Sequence, residues 1–174
     1  QIGVYIKTLI DISRTAAGYQ LHCEAFDLSD YMEQIAALAN SLCLTKGIYL
    51  HMETATDLGT LVADKLLLER AILNVIGNAL DYSPPHGTIH VVTQKSDGIV
   101  QISVTDEGRG FTPEALSHAR EQFFMEEKSR TSRLHFGMGL FITDSIIRQH
   151  NGQLLLKNSA QTGGAAVILS IPSP

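Results

Sequence analysis

Cysteine is scarce in this sequence, and its two cysteines are poorly placed for metal or disulfide chemistry. Cys23 and Cys43 lie twenty residues apart, with no CxxC pair and no histidine at metal-ligand spacing. A structural zinc site or a disulfide framework is therefore not expected, and a reducing compartment is the default. We expect both thiols to be packing residues.

Basic residues and long apolar runs are also lacking. The 13 Lys and Arg residues are outnumbered by 18 Asp and Glu residues, for a formal charge of −5. This balance argues against a nucleic-acid partner and against membrane contact, so phosphate binding, if any, must be local. No apolar run reaches the roughly 18 residues of a membrane helix, no signal peptide is present, and the chain begins with Gln1. We expect a soluble fragment of a longer protein, with one globular domain and a small appendage.

The stretch around which the chain is organised covers residues 66–85, LLLERAILNVIGNALDYSPP. Wound as a helix at about 100° per residue, it has a broad apolar arc and a narrow polar stripe formed by Arg70, Asn74, Asn78 and Asp81. Two amides four residues apart share a face and reach a common target. Their oxygens can ligate a hard cation and their NH₂ groups can donate to phosphate. A solvated helix edge is the alternative.

The N-terminal part has two further helical patterns. Residues 1–18 carry apolar side chains at spacings of three and four, which indicates the end of a helix from a bundle or coiled coil, or an ordinary amphipathic helix. Residues 26–29 offer an N-cap region for a second helix over residues 30–44. Residues 47–53 alternate in polarity and predict a strand.

Beyond the organising helix the period changes to that of a sheet. Residues 88–94 and 99–105 alternate around a Ser-Asp-Gly turn, which predicts a hairpin. Asp106-Glu-Gly-Arg-Gly-Phe111 follows directly, and a short helix starts near Thr112. The two glycines permit a tight turn beside an acidic side chain at a strand end. An ordinary loop explains the same pattern equally well.

The last third carries a basic, irregular segment and a glycine pair. Residues 120–136 predict either a mobile flap over an anion or a solvated loop. The run Gly137-Met-Gly-Leu140 precedes a helix over residues 141–150. Glycines at a helix start expose backbone N–H groups, as a phosphate site requires. Two strands, residues 153–156 and 165–171, complete the chain.

Five motifs in this order carry a resemblance. They are Asn-x-x-x-Asn-Ala from Asn74, Asp-x-Gly-x-Gly from Asp106, a Phe-Phe pair with Lys-Ser-Arg at residues 128–130, Gly-x-Gly-Leu from Gly137, and Gly164 before a strand. The order resembles the N, G1, F, G2 and G3 boxes of the catalytic and ATP-binding domain of sensor histidine kinases. These belong to the GHKL superfamily, with gyrase B subunits, mismatch-repair ATPases and heat-shock chaperones. The resemblance covers about residues 26–172.

The resemblance implies a fold and a domain division. The fold is α+β, a two-layer α/β sandwich of the Bergerat type, with a mixed sheet and helices on one face. Residues 1–22 would be the C-terminal end of the dimerisation and phosphoacceptor helix, and residues 23–174 the ATP-binding catalytic domain.

The resemblance also implies ATP and Mg²⁺ as cofactors. Asn78 would hold Mg²⁺ with help from Asn74. Both would be catalytic, together with Lys128 and Arg130 of the basic segment at residues 120–136. Asp106 would accept the adenine amino group. The other nucleotide contacts would come from Tyr82, Gly108, Gly110, Lys128, Gly137, Met138, Gly139 and Leu140.

Three positions depart from the family pattern. Asp81 stands where Lys or Arg is common and would repel a phosphate or turn away, His135 replaces a glycine, and Ala165 replaces a Thr or Ser. None of the seven histidines lies in an H-E-x-x-x-P-type box, so we expect the phosphoacceptor outside this chain. A non-catalytic nucleotide-sensing module and a hydrolytic GHKL ATPase are the alternatives.

The implied partners follow from the family. They are the dimerisation and His-phosphotransfer domain of the same kinase and a response regulator, with a homodimeric intact protein. The chain would be a cytoplasmic domain of a kinase anchored in the bacterial plasma membrane.

Overall fold

The computed structural model describes residues 20–118 and 130–173 of the 174-residue chain. The elements run in the order β1 (Glu24–Asp27), α1 (Leu28–Thr45), β2 (Tyr49–Thr54), β3 (Thr60–Ala63), α2 (Lys65–Tyr82), β4 (Thr88–Ser96), β5 (Ile99–Thr105), α3 (Pro113–His118), α4 (Arg130–Gln149), β6 (Gln153–Asn158) and β7 (Ala165–Pro172).

A mixed sheet forms one layer of the molecule. Its five strands have the order β2-β4-β5-β7-β6, and β1 pairs separately with β3. The β2–β4 pair is parallel, whereas the pairs β4–β5, β5–β7 and β6–β7 are antiparallel. Alternate residues of β4 and β5 are buried, and the residues between them are partly or fully exposed. The sheet therefore has one covered face, and the expected α/β sandwich with a mixed sheet is confirmed.

Helix α2 is the organising helix of the sequence, and its predicted buried face is confirmed. It begins after Asp64, whose side chain accepts a hydrogen bond from the Leu67 N–H at 3.1 Å. It ends at Tyr82, because Ser83 precedes a proline and takes an extended conformation. Its buried residues are Leu68, Ala71, Ile72, Val75, Ile76, Ala79 and Leu80.

Helices α2 and α4 are joined at one end by a buried histidine. His150 Nε2 lies 3.0 Å from the Asp64 N–H, so this ring nitrogen is the acceptor. Its Nδ1 therefore carries the proton and donates to the Ile146 carbonyl at 2.7 Å. Farther along, Thr143 donates to the Gly139 carbonyl at 2.8 Å and lies 3.5 Å from the Ala71 carbonyl. These contacts hold α4 against the helix that carries the two asparagines.

Two short strands, β1 and β3, were not predicted. Each has four residues, too few to show a two-residue alternation reliably, and they pair antiparallel between Glu24–Ala63 and Asp27–Thr60. The predicted N-cap region is confirmed, because the Asp27 side chain accepts from the Asp30 N–H at 2.9 Å. Helix α1 starts at Leu28 rather than at residue 30.

The predicted start of the last helix at residue 141, after the run at residues 137–140, is wrong. Helix α4 begins at Arg130, so residues 130–136 are helical rather than irregular, and Gly137 and Gly139 lie inside the helix. Arg and Leu are good helix formers, and a glycine inside a helix costs only about 1 kcal/mol, so the glycines do not stop the helix. Interior N–H groups donate to carbonyls four residues earlier and are therefore not exposed to an anion.

Several predictions lie outside the described residues. These are the heptad-like pattern at residues 1–18 and the part of the basic flap at residues 119–129, which includes Lys128. The expectation for the cysteines is wrong in one case, since Cys43 is buried but Cys23 is exposed. Burial raises the pKa of the Cys43 thiol. Within the described residues, no helix has the length and apolar character needed to cross a membrane.

Candidate nucleotide-binding site

A pocket lies between helix α2 and the ends of strands β5 and β7. It encloses about 440 Å³, part of which is open to solvent. Four residues predicted from the sequence to form a site line it together, namely Asn78, Tyr82, Asp106 and Gly110. The rest of the lining is mainly apolar and comprises Val75, Ala79, Val104, Phe111, Ala165 and Val167.

Asp106 is the buried acid of this pocket, with only 3% of its surface exposed. Its Oδ1 accepts hydrogen bonds from the Gly108 N–H at 2.8 Å and the Ala165 N–H at 3.1 Å. No hydrogen bond to Oδ2 is found in the described part of the chain. Burial raises the pKa of this carboxyl, while the two backbone N–H groups act in the opposite direction. The carboxylate is thus held by one oxygen, and the other is available to a ligand.

The main chain of Asp106 is held as firmly as its side chain. Its N–H donates to the Ala165 carbonyl at 3.0 Å, and its carbonyl accepts from the Thr162 hydroxyl at 2.8 Å. The same hydroxyl oxygen accepts from the Gly164 N–H at 3.1 Å. The turn between β6 and β7 therefore fixes the acid through both its main chain and its side chain.

Glycines allow these segments to approach each other closely. A Cβ on Gly108 would overlap the Tyr82 carbonyl oxygen. A Cβ on Gly164 would overlap the Asp106 carbonyl oxygen and lie 2.6 Å from Asp106 Oδ1. Gly110 has φ +77°, a conformation that L side chains rarely adopt. The two glycines of the Asp-x-Gly-x-Gly motif are thus needed for contact as well as for the turn.

The polar stripe of α2 reaches the other end of the pocket. Nδ2 of Asn74 and Nδ2 of Asn78 are buried and have no hydrogen-bond partner among the described residues. Asn78 lines the pocket, whereas Asn74 lies one helical turn earlier and does not. Gly139 of α4 passes over the Asn78 amide, since a Cβ there would be 3.8 Å from Nδ2. Unpaired buried amides are costly, so they mark a place where a ligand would supply the missing partner.

Two charged residues near the end of α2, Arg109 and Asp81, have different surroundings. The Arg109 guanidinium lies 5.3 Å from the centre of the Tyr82 ring, which is cation–π distance. Asp81 points elsewhere and forms an ion pair with Lys46 at 3.0 Å, outside the pocket lining. Of the two alternatives for Asp81, repelling a phosphate or turning away, the structure shows the second.

Comparison with known proteins identifies the family. Residues 63–174 match the family model described as histidine kinase-, DNA gyrase B-, and HSP90-like ATPase. The chain belongs to this family. Among relatives, it is 35% identical over 172 residues to the sensor histidine kinase SpaK of Bacillus subtilis, which covers 99% of this chain and 37% of SpaK.

Solved structures with similar folds include ShkA and the histidine kinase ThkA. ShkA in complex with AMPPNP is similar with TM-score 0.81 and 24% identity, over 97% of this chain and 35% of ShkA. ThkA in complex with the response regulator protein TrrA is similar with TM-score 0.81 and 20% identity, over 99% of this chain and 48% of that chain. The chain thus spans a little over a third of SpaK, and these structures show its fold.

Two other predicted site residues, Gly139 and Leu140, are not part of the pocket lining. Leu140 is 1% exposed and packs in the hydrophobic core. Gly139 lies near Asn78, since an added Cβ would be 3.8 Å from its Nδ2, but Gly139 is not part of the lining. Arg130, Gly137 and Met138 lie in α4 by their backbone, and their side chains are outside the described part. Lys128 is outside it altogether.

Sequence reasoning missed the residues that complete the pocket of this family member. Ala165 was considered only as a missing hydroxyl, yet its backbone N–H binds the acid. The apolar walls, such as Val104 and Val167, have the alternation of any buried strand, so nothing distinguishes them from core residues. Asn158 was not considered, although both polar atoms of its side chain bond to Phe111.

Proposed function

We propose that this chain is the ATP-binding catalytic domain of a sensor histidine kinase. In this proposal, residues 23–174 bind ATP with Mg²⁺, and residues 1–22 continue a dimerisation helix. The γ-phosphoryl group passes to a histidine on a dimerisation domain outside this chain. The observation that carries the proposal is Asp106, a buried carboxylate held through one oxygen in an apolar pocket.

The Asp106 end of the pocket suits an adenine ring. The walls from Val104, Val167 and Phe111 are apolar, and the ring of a base is flat and apolar on its faces. Asp106 Oδ2 can accept from an exocyclic amino group, whereas it would repel the carbonyl oxygen of guanine. The pocket therefore favours adenine over guanine, with Tyr82 beside the nucleotide.

The α2 end suits phosphate and a divalent cation. The unpaired NH₂ groups of Asn74 and Asn78 can donate to phosphate oxygens. Rotation of either side-chain amide by about 180° exchanges its NH₂ group and its oxygen, so that the oxygen takes the same place. Amide oxygens are suitable ligands for Mg²⁺, which neutralises charge on the transferred phosphate when bound. Lys128, in the segment before α4, and Arg130, the first residue of α4, would add positive charge. Gly139 leaves space over the Asn78 amide. Residues 137–140 would contribute by packing, because they lie inside a helix.

The site lacks the base that water attack requires. In hydrolytic relatives a Glu four residues before the Mg²⁺ asparagine takes the proton from water, and that position here is Asn74. An amide cannot accept a proton near neutral pH. A neutral histidine imidazole needs no such help, since it is already nucleophilic and needs chiefly to be aligned with the phosphate. This favours phosphoryl transfer to histidine over hydrolysis.

The relatives support the rest of the proposal. SpaK is named a sensor histidine kinase, ShkA was solved with AMPPNP, and ThkA was solved with a response regulator. We infer for the parent protein a homodimer, a response-regulator partner and a plasma-membrane anchor, with this domain in the cytoplasm.

A nucleotide titration tests binding. We expect ATP to bind residues 1–174, more tightly with Mg²⁺ than without, and ATP to be preferred to GTP. Asn78→Ala should remove the Mg²⁺ dependence, while Asn40→Ala, a matched change at an exposed position of α1, should not. Absence of nucleotide binding, or binding indifferent to Mg²⁺, would favour the non-catalytic sensing module.

A phosphorylation assay separates kinase from ATPase. We expect the chain alone to release almost no phosphate and to form no phosphohistidine. Adding the upstream helix, in cis or in trans, should produce acid-labile phosphohistidine. Rapid phosphate release from the chain alone, abolished by Asn78→Ala, would identify a hydrolytic GHKL ATPase instead.

A further inference from the structure

Asn158, the last residue of β6, binds both main-chain groups of a pocket residue. The Phe111 N–H donates to Asn158 Oδ1 at 2.7 Å, and Asn158 Nδ2 donates to the Phe111 carbonyl at 2.9 Å. An amide side chain here replaces the two-point contact that a neighbouring strand would make. The pair joins positions 47 residues apart in the sequence.

The loop from Asp106 to Phe111 is consequently held at both ends by one turn. At its start, the Thr162 hydroxyl and the Ala165 N–H bind Asp106. At its end, Asn158 binds Phe111. Between them, a Cβ on Gly110 would lie 2.6 Å from the Gly163 carbonyl oxygen and 2.8 Å from Asn158 Oδ1. The loop therefore packs directly on residues 158–165.

We infer that Asn158 is a positioning residue for nucleotide recognition, acting through Phe111. Phe111 lines the pocket and is 8% exposed, whereas Asn158 is not part of the lining. By fixing the Phe111 main chain, Asn158 sets the position of the wall on the Asp106 side, where the base would lie. The inference rests on the proposed function, because it assigns Asn158 a role in that same site.

The geometry limits the effect to one end of the pocket. Asn158 contacts the loop that carries Asp106, and the paired asparagines of α2 belong to a different element. A loss at Asn158 should therefore weaken binding of the base by the same factor whatever the number of phosphates. A loss at Asn78 should instead depend on the phosphates and on Mg²⁺.

The test compares ADP with AMPPNP on variants of the full 174-residue chain. Asn158→Leu keeps the size and removes both hydrogen bonds, and we expect both nucleotides to bind about tenfold more weakly, equivalent to about 1.4 kcal/mol. Asn158→Asp keeps the acceptor for the Phe111 N–H but places an oxygen against the Phe111 carbonyl, and we expect a smaller loss, about threefold. Free energies of unfolding without nucleotide are measured on the same samples.

Ser173→Ala is the matched control. Ser173 is 3% exposed and donates to the Thr60 carbonyl at 3.2 Å, so the variant also loses a long-range side-chain hydrogen bond, away from the pocket. We expect it to lose stability and to keep wild-type affinity. The ratio of lost affinity to lost free energy of unfolding is compared between Ser173→Ala and Asn158→Leu. If the two ratios are equal, the role of Asn158 is only structural and the inference is overturned.

The remaining outcomes separate this inference from the proposed function. No nucleotide binding by the wild-type chain contradicts the proposed function itself. Wild-type binding with unchanged affinity in Asn158→Leu contradicts the positioning role alone, as does a loss that differs between ADP and AMPPNP. If Asn158→Leu does not fold, Asn158→Asp decides: an equal loss for both nucleotides supports the inference, and unchanged affinity overturns it.

Discussion

The two ends of the pocket differ in how far their polar groups are already satisfied. At the Asp106 end, the carboxylate Oδ1, the main-chain N–H and the main-chain carbonyl all have partners within the protein. At the Asn78 end, the amide nitrogens of two buried asparagines have none among the described residues. The Asp106 end is preorganised before any ligand binds, whereas in the proposed complex the Asn78 end is completed by its ligand.

This difference has an energetic consequence. Hydrogen bonds made within the protein contribute to folding, so a change that breaks those at the Asp106 end should cost stability as well as binding. Unpaired buried amides weaken the fold, so removing them should cost binding only. At the Asp106 end, the contacts that position the site also stabilise the fold. At the Asn78 end, the groups proposed to bind the ligand destabilise the fold.

The largest effect is expected for Gly164→Ala. Its Cβ would overlap the Asp106 carbonyl oxygen, and neither the turn nor the acid can move without losing hydrogen bonds. We expect a loss of about 1–3 kcal/mol in the free energy of unfolding, measured by urea denaturation, together with loss of nucleotide binding.

Gly77→Ala is the control for that variant. Gly77 lies in α2 with nothing within 4 Å of its added Cβ, so alanine should be neutral or stabilising there. Equal behaviour of the two variants would contradict the close packing of the Asp106 end.

Asp106→Asn should lose affinity without losing stability. The asparagine Oδ1 can still accept from Gly108 and Ala165, but the charged acceptor for an adenine amino group is lost. We expect ATP affinity to fall by about 1.5–3 kcal/mol, measured by calorimetry, while the free energy of unfolding at pH 7 stays or rises. Unchanged ATP affinity would exclude Asp106 as the base-recognition residue.

The raised pKa of Asp106 makes the stability of the chain depend on pH. Between the ordinary Asp range near pH ~3.9 and the raised value, the folded chain binds more protons than the unfolded chain. The contribution of Asp106 to stability is therefore full below that range and is lost as pH rises through the raised pKa. We expect Asp106→Asn to gain stability relative to wild type as the pH rises above the ordinary Asp range. ATP affinity of the wild type should fall over the same interval on acidification. A stability difference independent of pH would contradict this.

Asn78→Leu tests the opposite end. Leucine has a similar volume and removes a buried amide nitrogen that lacks a partner. We expect the free energy of unfolding to be unchanged or higher by up to about 1 kcal/mol, with loss of Mg²⁺-dependent ATP binding. A destabilised variant would show that the amide is satisfied in solution without nucleotide.

Asp81→Ala should have the smallest effect. Its ion pair with Lys46 is about half exposed on both sides, so solvent screens it. We expect a change of less than about 1 kcal/mol in the free energy of unfolding and no change in ATP affinity. Tighter ATP binding in this variant would show that the carboxylate acts on the phosphates after all.

Local patterns account for what was predicted correctly about the fold. The buried arc of α2, the hairpin of β4 and β5 and the N-cap region of α1 depend on residues a few positions apart. The strands β1 and β3 were missed because four residues carry too little periodicity. The predicted start of α4 is wrong because two glycines suggest a boundary where there is none. Helix formers precede these glycines, and Thr143 packs the helix onto α2.

Residue types and their spacing show which residues of the site have the chemistry to bind a nucleotide. The spacing of Asn74 and Asn78 follows from the helical repeat, and Asp106 with its glycines follows a strand end. The contacts of these residues depend on the tertiary structure. The partners of the Asp106–Phe111 loop, Asn158, Thr162 and Ala165, lie 47 to 59 positions away in the chain. The Ala165 N–H has no local signature, because backbone groups are the same at every residue. The Asn158 side chain has none either, because its partner is set by the packing of distant segments.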